Sequence, residues 1–181
     1  MKTESANEIK ERTKNWVEKA VIGLNLCPFA KAVYATDKVR YFVSPATNAE
    51  ELAADLITEL QHLNALSPDV TDTTLVIHPN ALLEFLDFND FLDIADAAIE
   101  ELGLTSEFQI ASFHPQYQFE GTDPEDIENY TNRAPYPILQ ILRESSVEKG
   151  LSAFADPDEI FKRNIETMRR LGHEGWKNLK I

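Results

Sequence analysis

The spacing of apolar and polar positions predicts most of the elements of this chain. Ile9, Thr13, Trp16, Val17, Ala20 and Val21 fall on one face of a helix over residues 7–22, with Lys and Glu elsewhere and Gly23 as its stop. Residues 24–31, Leu-Asn-Leu-Cys-Pro-Phe-Ala-Lys, read as an apolar loop or short turn. Asp37 to Val43 is rich in β-branched and aromatic side chains and reads as a strand. Thr47 or Asn48 with Glu50 or Glu51 gives a helix-capping signature. Leu52, Leu56, Leu60 and Leu63 follow at helical spacing until Ser67-Pro68-Asp69 breaks the pattern. Thr73 to Ile77 is a short strand of the buried kind. Residues 82–102 are helical, with Asn89 as a candidate internal cap and Gly103 as terminator. Phe108 to Phe113 is a third strand, and 114–134 a long loop containing Gly121 and Pro124. Residues 137–148 read as a helix opening on proline. A last helix over 157–171 carries Ile160, Phe161, Ile165, Met168 and Leu171 on one face, with Trp176 in a short tail.

Strands joined by helices are normally parallel neighbours. The order α-β-α-β-α-β-loop-α-α therefore predicts an α/β fold: a small, mainly parallel sheet with helical crossovers and flanking terminal helices, in a single domain over residues 1–181. A ferredoxin-like α+β arrangement is the alternative, with a fourth strand near Asn25–Tyr34.

Charge narrows the functional classes. The 181 residues carry 17 Lys and Arg against 31 Asp and Glu, a formal net charge of −14. A general nucleic-acid binder needs a basic surface to displace counterions from phosphates, and docking on an anionic membrane needs one too. Neither partner is expected. The charge is also uneven: between Arg40 and Arg133 there is no Lys or Arg and there are 19 acids. An anion held near that middle has to be met by basic side chains from the two ends or by backbone N–H groups. The basic residues Lys162, Arg163, Arg169 and Arg170 of the last helix read as a solvated face. The single Cys excludes an internal disulfide and fits a reducing compartment. No apolar run reaches the length of a membrane span, and the opening Met-Lys-Thr-Glu-Ser-Ala-Asn has no signal-peptide core. A cytoplasmic location is the expectation.

The candidate chemistry lies where the strands stop. All three close alike: Val43-Ser44-Pro45, Ile77-His78-Pro79 and Phe113-His114-Pro115. Proline cannot continue a ladder and holds the preceding residue extended, so Ser44, His78 and His114 each take the last extended position. Open α/β sheets bind ligands at the carboxyl ends of their strands. Cys27 is either a small buried hydrophobe or a nucleophile, and a nucleophile needs a base, for which His114 or His78 is available. Cys27 with the two His is also a zinc ligand set, although separations of 51 and 36 residues match no compact zinc signature. Arg133, flanked by Asn132 and by Pro135-Tyr136-Pro137, offers a planar fork for a carboxylate or phosphate; otherwise it neutralises a loop acid such as Asp123 or Asp126. The aromatic set Phe113, Tyr117, Phe119, Tyr130 and Tyr136 is either a pocket wall or a satellite core. With 6 Gly and no GxGxxG, Walker A, HExxH or GxSxG motif, the pattern assigns no cofactor and no oligomeric state.

The segments Leu-Cys-Pro-Phe-Ala-Lys (26–31), Phe-His-Pro-Gln-Tyr-Gln-Phe (113–119), Asn-Arg-Ala-Pro-Tyr-Pro (132–137) and Leu-Arg-Glu (142–144) give the chain a resemblance to the domain-of-unknown-function family 1415, over nearly its whole length. The resemblance implies a bacterial protein of one domain and supplies no activity. The family pattern often has Ser where Ala134 stands and His where Gln140 stands, so neither side chain is an obligatory part of a mechanism retained here. The residues together suggest a small enzyme acting on a small anionic or carbonyl-bearing molecule at the carboxyl edge of the sheet. Cys27 would be nucleophile or ligand, His114 general base or ligand and His78 a second polar group. Arg133, Asn132, Ser44, Tyr117 and Tyr136 would bind the substrate. The alternative is a non-catalytic ligand-binding or protein-interaction module with an acidic surface.

Overall fold

The computed structural model describes residues 4–154 and 156–181. Met1–Thr3, part of the stretch read above for a leader peptide, lie outside them. Helix α1 (Ala6–Trp16) starts at a reciprocal cap, in which Ser5 Oγ accepts from the Glu8 backbone N–H while the Glu8 carboxylate accepts from the Ser5 N–H. The expected α-helix over 7–22 is cut short: after Trp16 the chain widens into one π-helical turn, Val17–Ile22. The region Asn25–Tyr34 supplies no strand. It is a turn with Asn25 at φ 53°, followed by the short helix α2 (Ala30–Ala35).

Three strands stand where the residue pattern places them: β1 (Val39–Val43), β2 (Thr73–Ile77) and β3 (Phe108–Phe113). Between them run α3 (Ala49–Ala65), capped by Asn48 on the Glu51 N–H at 2.9 Å, and α4 (Phe85–Glu101), unbroken at Asn89 and closed by Gly103 at φ 68°. The fourth strand is β4 (Ile138–Arg143), in the segment read as a helix; α5 (Glu144–Leu151) follows it directly. The last helix, α6 (Asp158–Asn178), passes the expected end at Leu171, kinks at Gly172 (φ 63°) and carries Trp176 back onto the N-terminal part.

The sheet has the order β1-β2-β4-β3, with β1 and β2 parallel and β4 antiparallel to both its neighbours. The fold is α/β as expected, but two of the three pairings are antiparallel, so the sheet is not mainly parallel. β1, β2 and β3 nevertheless point the same way, because β3 and β2 both oppose β4.

Strand parity divides the side chains between two cores. On one face, α3 and α4 bury Leu52, Leu56, Leu60, Leu63, Phe88, Phe91 and Ile99 against Val76, Leu139 and Ile141. On the other, α1 and the π turn lay Ile9, Trp16, Val17 and Ala20 against Leu75, Ile77 and Ile138. β2 is buried at every position, as a continuous apolar run between two layers requires. Among the described residues, no helix is long and apolar enough to cross a membrane.

Candidate functional site

Ser44, His78 and His114 end three strands of common direction and lie along one edge of the sheet. Parity turns all three toward α3 and α4, and each is 1% exposed or less. Their hydrogen bonds are local. Ser44 Oγ donates to Asp55 Oδ2 at 2.5 Å and accepts from the Ala46 N–H, fixing the turn into α3. His78 Nδ1 lies 2.9 Å from the Ala81 carbonyl, which makes it the protonated nitrogen; its Nε2 is buried without a partner. His114 Nε2 lies 3.2 Å from the Leu82 carbonyl, and its Nδ1 accepts from the Gln116 N–H at 3.0 Å. The two imidazoles thus hold the Pro79–Glu84 turn, where Leu82 takes φ 54°; both pack against Phe88, and His114 also against Phe85. Burial, against the pull of the Ala81 carbonyl, pushes the His78 pKa down to about 4; burial lowers that of His114 as well. Both imidazoles are held neutral, each with at least one ring nitrogen engaged by the adjoining turns.

Cys27 is elsewhere. It lines a cavity of about 310 Å³ on the opposite face of the sheet, together with Val17 and Val21 of the π turn, Phe29, and Leu75, Ala111, Phe113 and Gln140 of the sheet floor. The sheet therefore stands between the thiol and both imidazoles, and the expected Cys27–His pair does not form. Burial also raises the Cys27 pKa, against the N–H groups of Phe29 and Ala30, so the thiol is not activated. Among the described residues, no three His, Cys, Asp or Glu side chains converge as a metal site requires, so Cys27, His78 and His114 do not make the zinc set considered above.

Arg133 is a third location. Its Nε donates to the Tyr117 carbonyl at 3.1 Å and its Nη2 to the Pro124 carbonyl at 2.6 Å, while the guanidinium sits 4.2 Å from the Tyr130 ring centroid. The arginine ties the 114–132 loop to itself, pairing with carbonyls rather than with Asp123 or Asp126. A residue missed in the sequence completes that loop: Asn129, fully buried, accepts from the Phe119 N–H and Thr122 Oγ and donates to the Asp123 carbonyl. Its flanks, Glu128 and Tyr130, look no different from other loop residues, and only its burial marks it. The aromatic set is dispersed. Tyr117 stacks between Phe85 and Phe119, Tyr130 meets Trp176, and Tyr136 donates to Glu4 at 2.9 Å. Phe113 alone of the set reaches the cavity, edge-on to Trp16. Asn132 also lines the cavity and donates to the Ser112 carbonyl at 3.1 Å.

The cavity is enclosed by several elements of the fold. The sheet face forms its floor and the π turn one wall; such turns recur at functional sites. The 24–29 loop and α2 cover it, held from α6 and α5. Asn164 donates to the Leu26 carbonyl at 2.9 Å, Arg163 to that of Asn25 at 3.2 Å, and the Phe29 ring lies over Gly150, where a Cβ would come within 2.0 Å of the ring. Its polar lining includes Thr73, Gln109 and Gln140 of the sheet, Asp72 and Ser146 beside them, and Thr131, Asn132 and Asn164. No curated protein and no solved structure matches the chain. A family model described as "Protein of unknown function (DUF1415)" matches residues 8–178, and the chain belongs to that family.

Proposed function

We propose that this protein binds a small, predominantly apolar molecule in the cavity between the sheet and the Cys27 loop, as a binding module rather than through a Cys–His catalytic centre. The carrying observation is the cavity itself. Its volume of about 310 Å³ stands at the lower end of the ~300–1,000 Å³ typical of small-molecule sites, and an apolar lining with a few convergent polar groups is their usual composition. A catalytic reading through Cys27 lacks its base, because both buried histidines face the other core. The expected anion clamp is not at this cavity, because Arg133 is not among its lining residues and turns Nε and Nη2 to carbonyls of its own loop. The cavity contains one guanidinium-bearing residue, Arg143, and that group donates to the Leu63, Leu66 and Thr71 carbonyls.

The experiment is uptake of an environment-sensitive neutral dye, Nile red, by the parent and by Ala111→Trp. Ala111 lies on the cavity floor, and an indole there fills the space. The parent is expected to bind the dye saturably and the variant to lose at least tenfold in affinity with its circular dichroism unchanged. Equal uptake by both chains refutes the cavity as the binding place.

A further inference from the structure

The cavity floor specifies what the ligand presents to it. Gln140 sits in the middle of β4, paired with Leu75 on one side and Ala111 on the other, so its amide is flanked by apolar floor residues. The orientation of that amide is fixed by its neighbour. Thr73 Oγ donates its only proton to the Ile141 carbonyl at 2.7 Å, so toward Gln140 it acts only as an acceptor. The Gln140 group 3.1 Å from it is therefore the NH₂, and Oε1 is turned away. Among the described residues no donor reaches that oxygen, and it is not sealed in the protein interior. The neighbouring polar groups bond elsewhere: the Gln109 NH₂ donates to Glu144 Oε2, and Ser146 gives its one hydroxyl proton to Asp72 Oδ1.

Charge at this end offers little to an ionised ligand. The Asp72 carboxylate and the Arg143 guanidinium are close enough to interact, and the guanidinium is committed to three carbonyls. A carboxylate ligand would meet the Asp72 carboxylate in the lining, while the Arg143 guanidinium is directed to the Leu63, Leu66 and Thr71 carbonyls. Resting on the binding reading above, we infer that the ligand is an uncharged, mainly apolar molecule carrying a hydroxyl or N–H that donates to Gln140 Oε1.

The test compares three probes of one shape on the intact chain by isothermal titration: 2-naphthol, which donates; 2-methylnaphthalene, which does not; and 2-naphthoate, which is charged. The expected order is 2-naphthol about tenfold tighter than 2-methylnaphthalene, as one added hydrogen bond to an acceptor with no protein partner gives, with 2-naphthoate weakest. Gln140→Leu should erase the 2-naphthol preference and keep 2-methylnaphthalene binding. Thr73→Val should weaken the preference by freeing the amide to turn. Equal affinity for 2-naphthol and 2-methylnaphthalene, tightest binding of 2-naphthoate, or an unchanged preference in Gln140→Leu overturns this inference while leaving the cavity as a binding place. Failure of all three probes to bind the parent overturns both. The probe ranking on the parent decides the matter even if a variant does not fold.

Discussion

Lowering the pH from 7.5 to 4.5 tests whether His78 is held as the geometry requires. The folded chain keeps this imidazole neutral, fully buried, with Nδ1–H on the Ala81 carbonyl and Nε2 facing no partner. Its pKa falls from the ordinary 6.5 to about 4 on folding. The unfolded chain takes up the proton below about pH 6.5 and the folded chain does not, so the unfolded state binds more protons across that window. Stability contributed by this group is therefore complete above pH 6.5, falls as the pH drops toward 4, and levels off below. At about 1.4 kcal/mol per pKa unit, the loss approaches ~3 kcal/mol over the full window, against ~5–15 kcal/mol for a typical domain.

Many carboxylates titrate in the same range, so the assay has to isolate the imidazole. Urea unfolding at pH 7.5, 6.5, 5.5 and 4.5 is compared between the parent and His78→Asn, whose amide can still donate to the Ala81 carbonyl but does not titrate. At pH 7.5 the variant should be less stable by roughly 1–2 kcal/mol, because the ring stacked on Phe88 is lost. That gap should shrink by ~2–3 kcal/mol on going to pH 4.5, closing or reversing. Parallel stability curves for the two chains, or an NMR titration in which His78 protonates near 6.5 in the folded protein, would refute the reasoning.

Two further outcomes follow from contacts already described. Arg133→Lys keeps the charge but cannot reach the Tyr117 and Pro124 carbonyls together. Proteolysis of the 114–132 loop should accelerate and the melting temperature fall by ~2–4 °C for each kcal/mol lost, while Nile red affinity stays at the parent value; an unchanged melting temperature contradicts the loop-tying role. Gly150→Ala drives a methyl group into the Phe29 ring, so the covering loop should lift and alkylation of Cys27 by iodoacetamide should speed up several-fold. A rate equal to the parent's would show that Phe29 does not hold that loop down.

How far the fold could be read in advance depended on whether an element carried its own punctuation. α3 has Asn48 and Glu51 at its start and Pro68 beyond its end, and α4 has Gly103; both appear where those residues put them. The strand at Ile138–Arg143 has no such marks. Its apolar positions 138, 139, 141 and 142 suit one face of a helix as well as a strand buried on both sides, and Pro137 suits a helix start. What decides is non-local: β4 fills the place between β2 and β3, pairing with both, and that insertion is what turns a parallel arrangement into a mixed one. The π turn was hidden for the opposite reason. Its residues continue the periodicity of α1, and its departure from it shows only in the hydrogen bonding, where Gly23 N–H reaches Glu18 O and Leu26 N–H reaches Val21 O.

The candidate site meets the same limit. Strand parity makes Ser44, His78 and His114 share a face, and that much follows from the repeated X-Pro endings. Which face the Cys27 loop covers depends on the side of the sheet where α1 packs, and α1 buries Trp16 against Phe113, on the face the histidines leave. The polar strand ends then acquire a common structural explanation. Proline ends the ladder just beyond each of them, and the side chain before it bonds to the turn that follows or to the neighbouring one. Gln140 reverses the case. Read within a helix it is an ordinary polar position, but in a central strand between Leu139 and Ile141 it is an amide in the middle of a floor shared with Leu75 and Ala111. A polar side chain placed there costs stability unless something pairs with it. Thr73 pairs with its NH₂ alone, so the oxygen is the acceptor this floor offers to the proposed ligand.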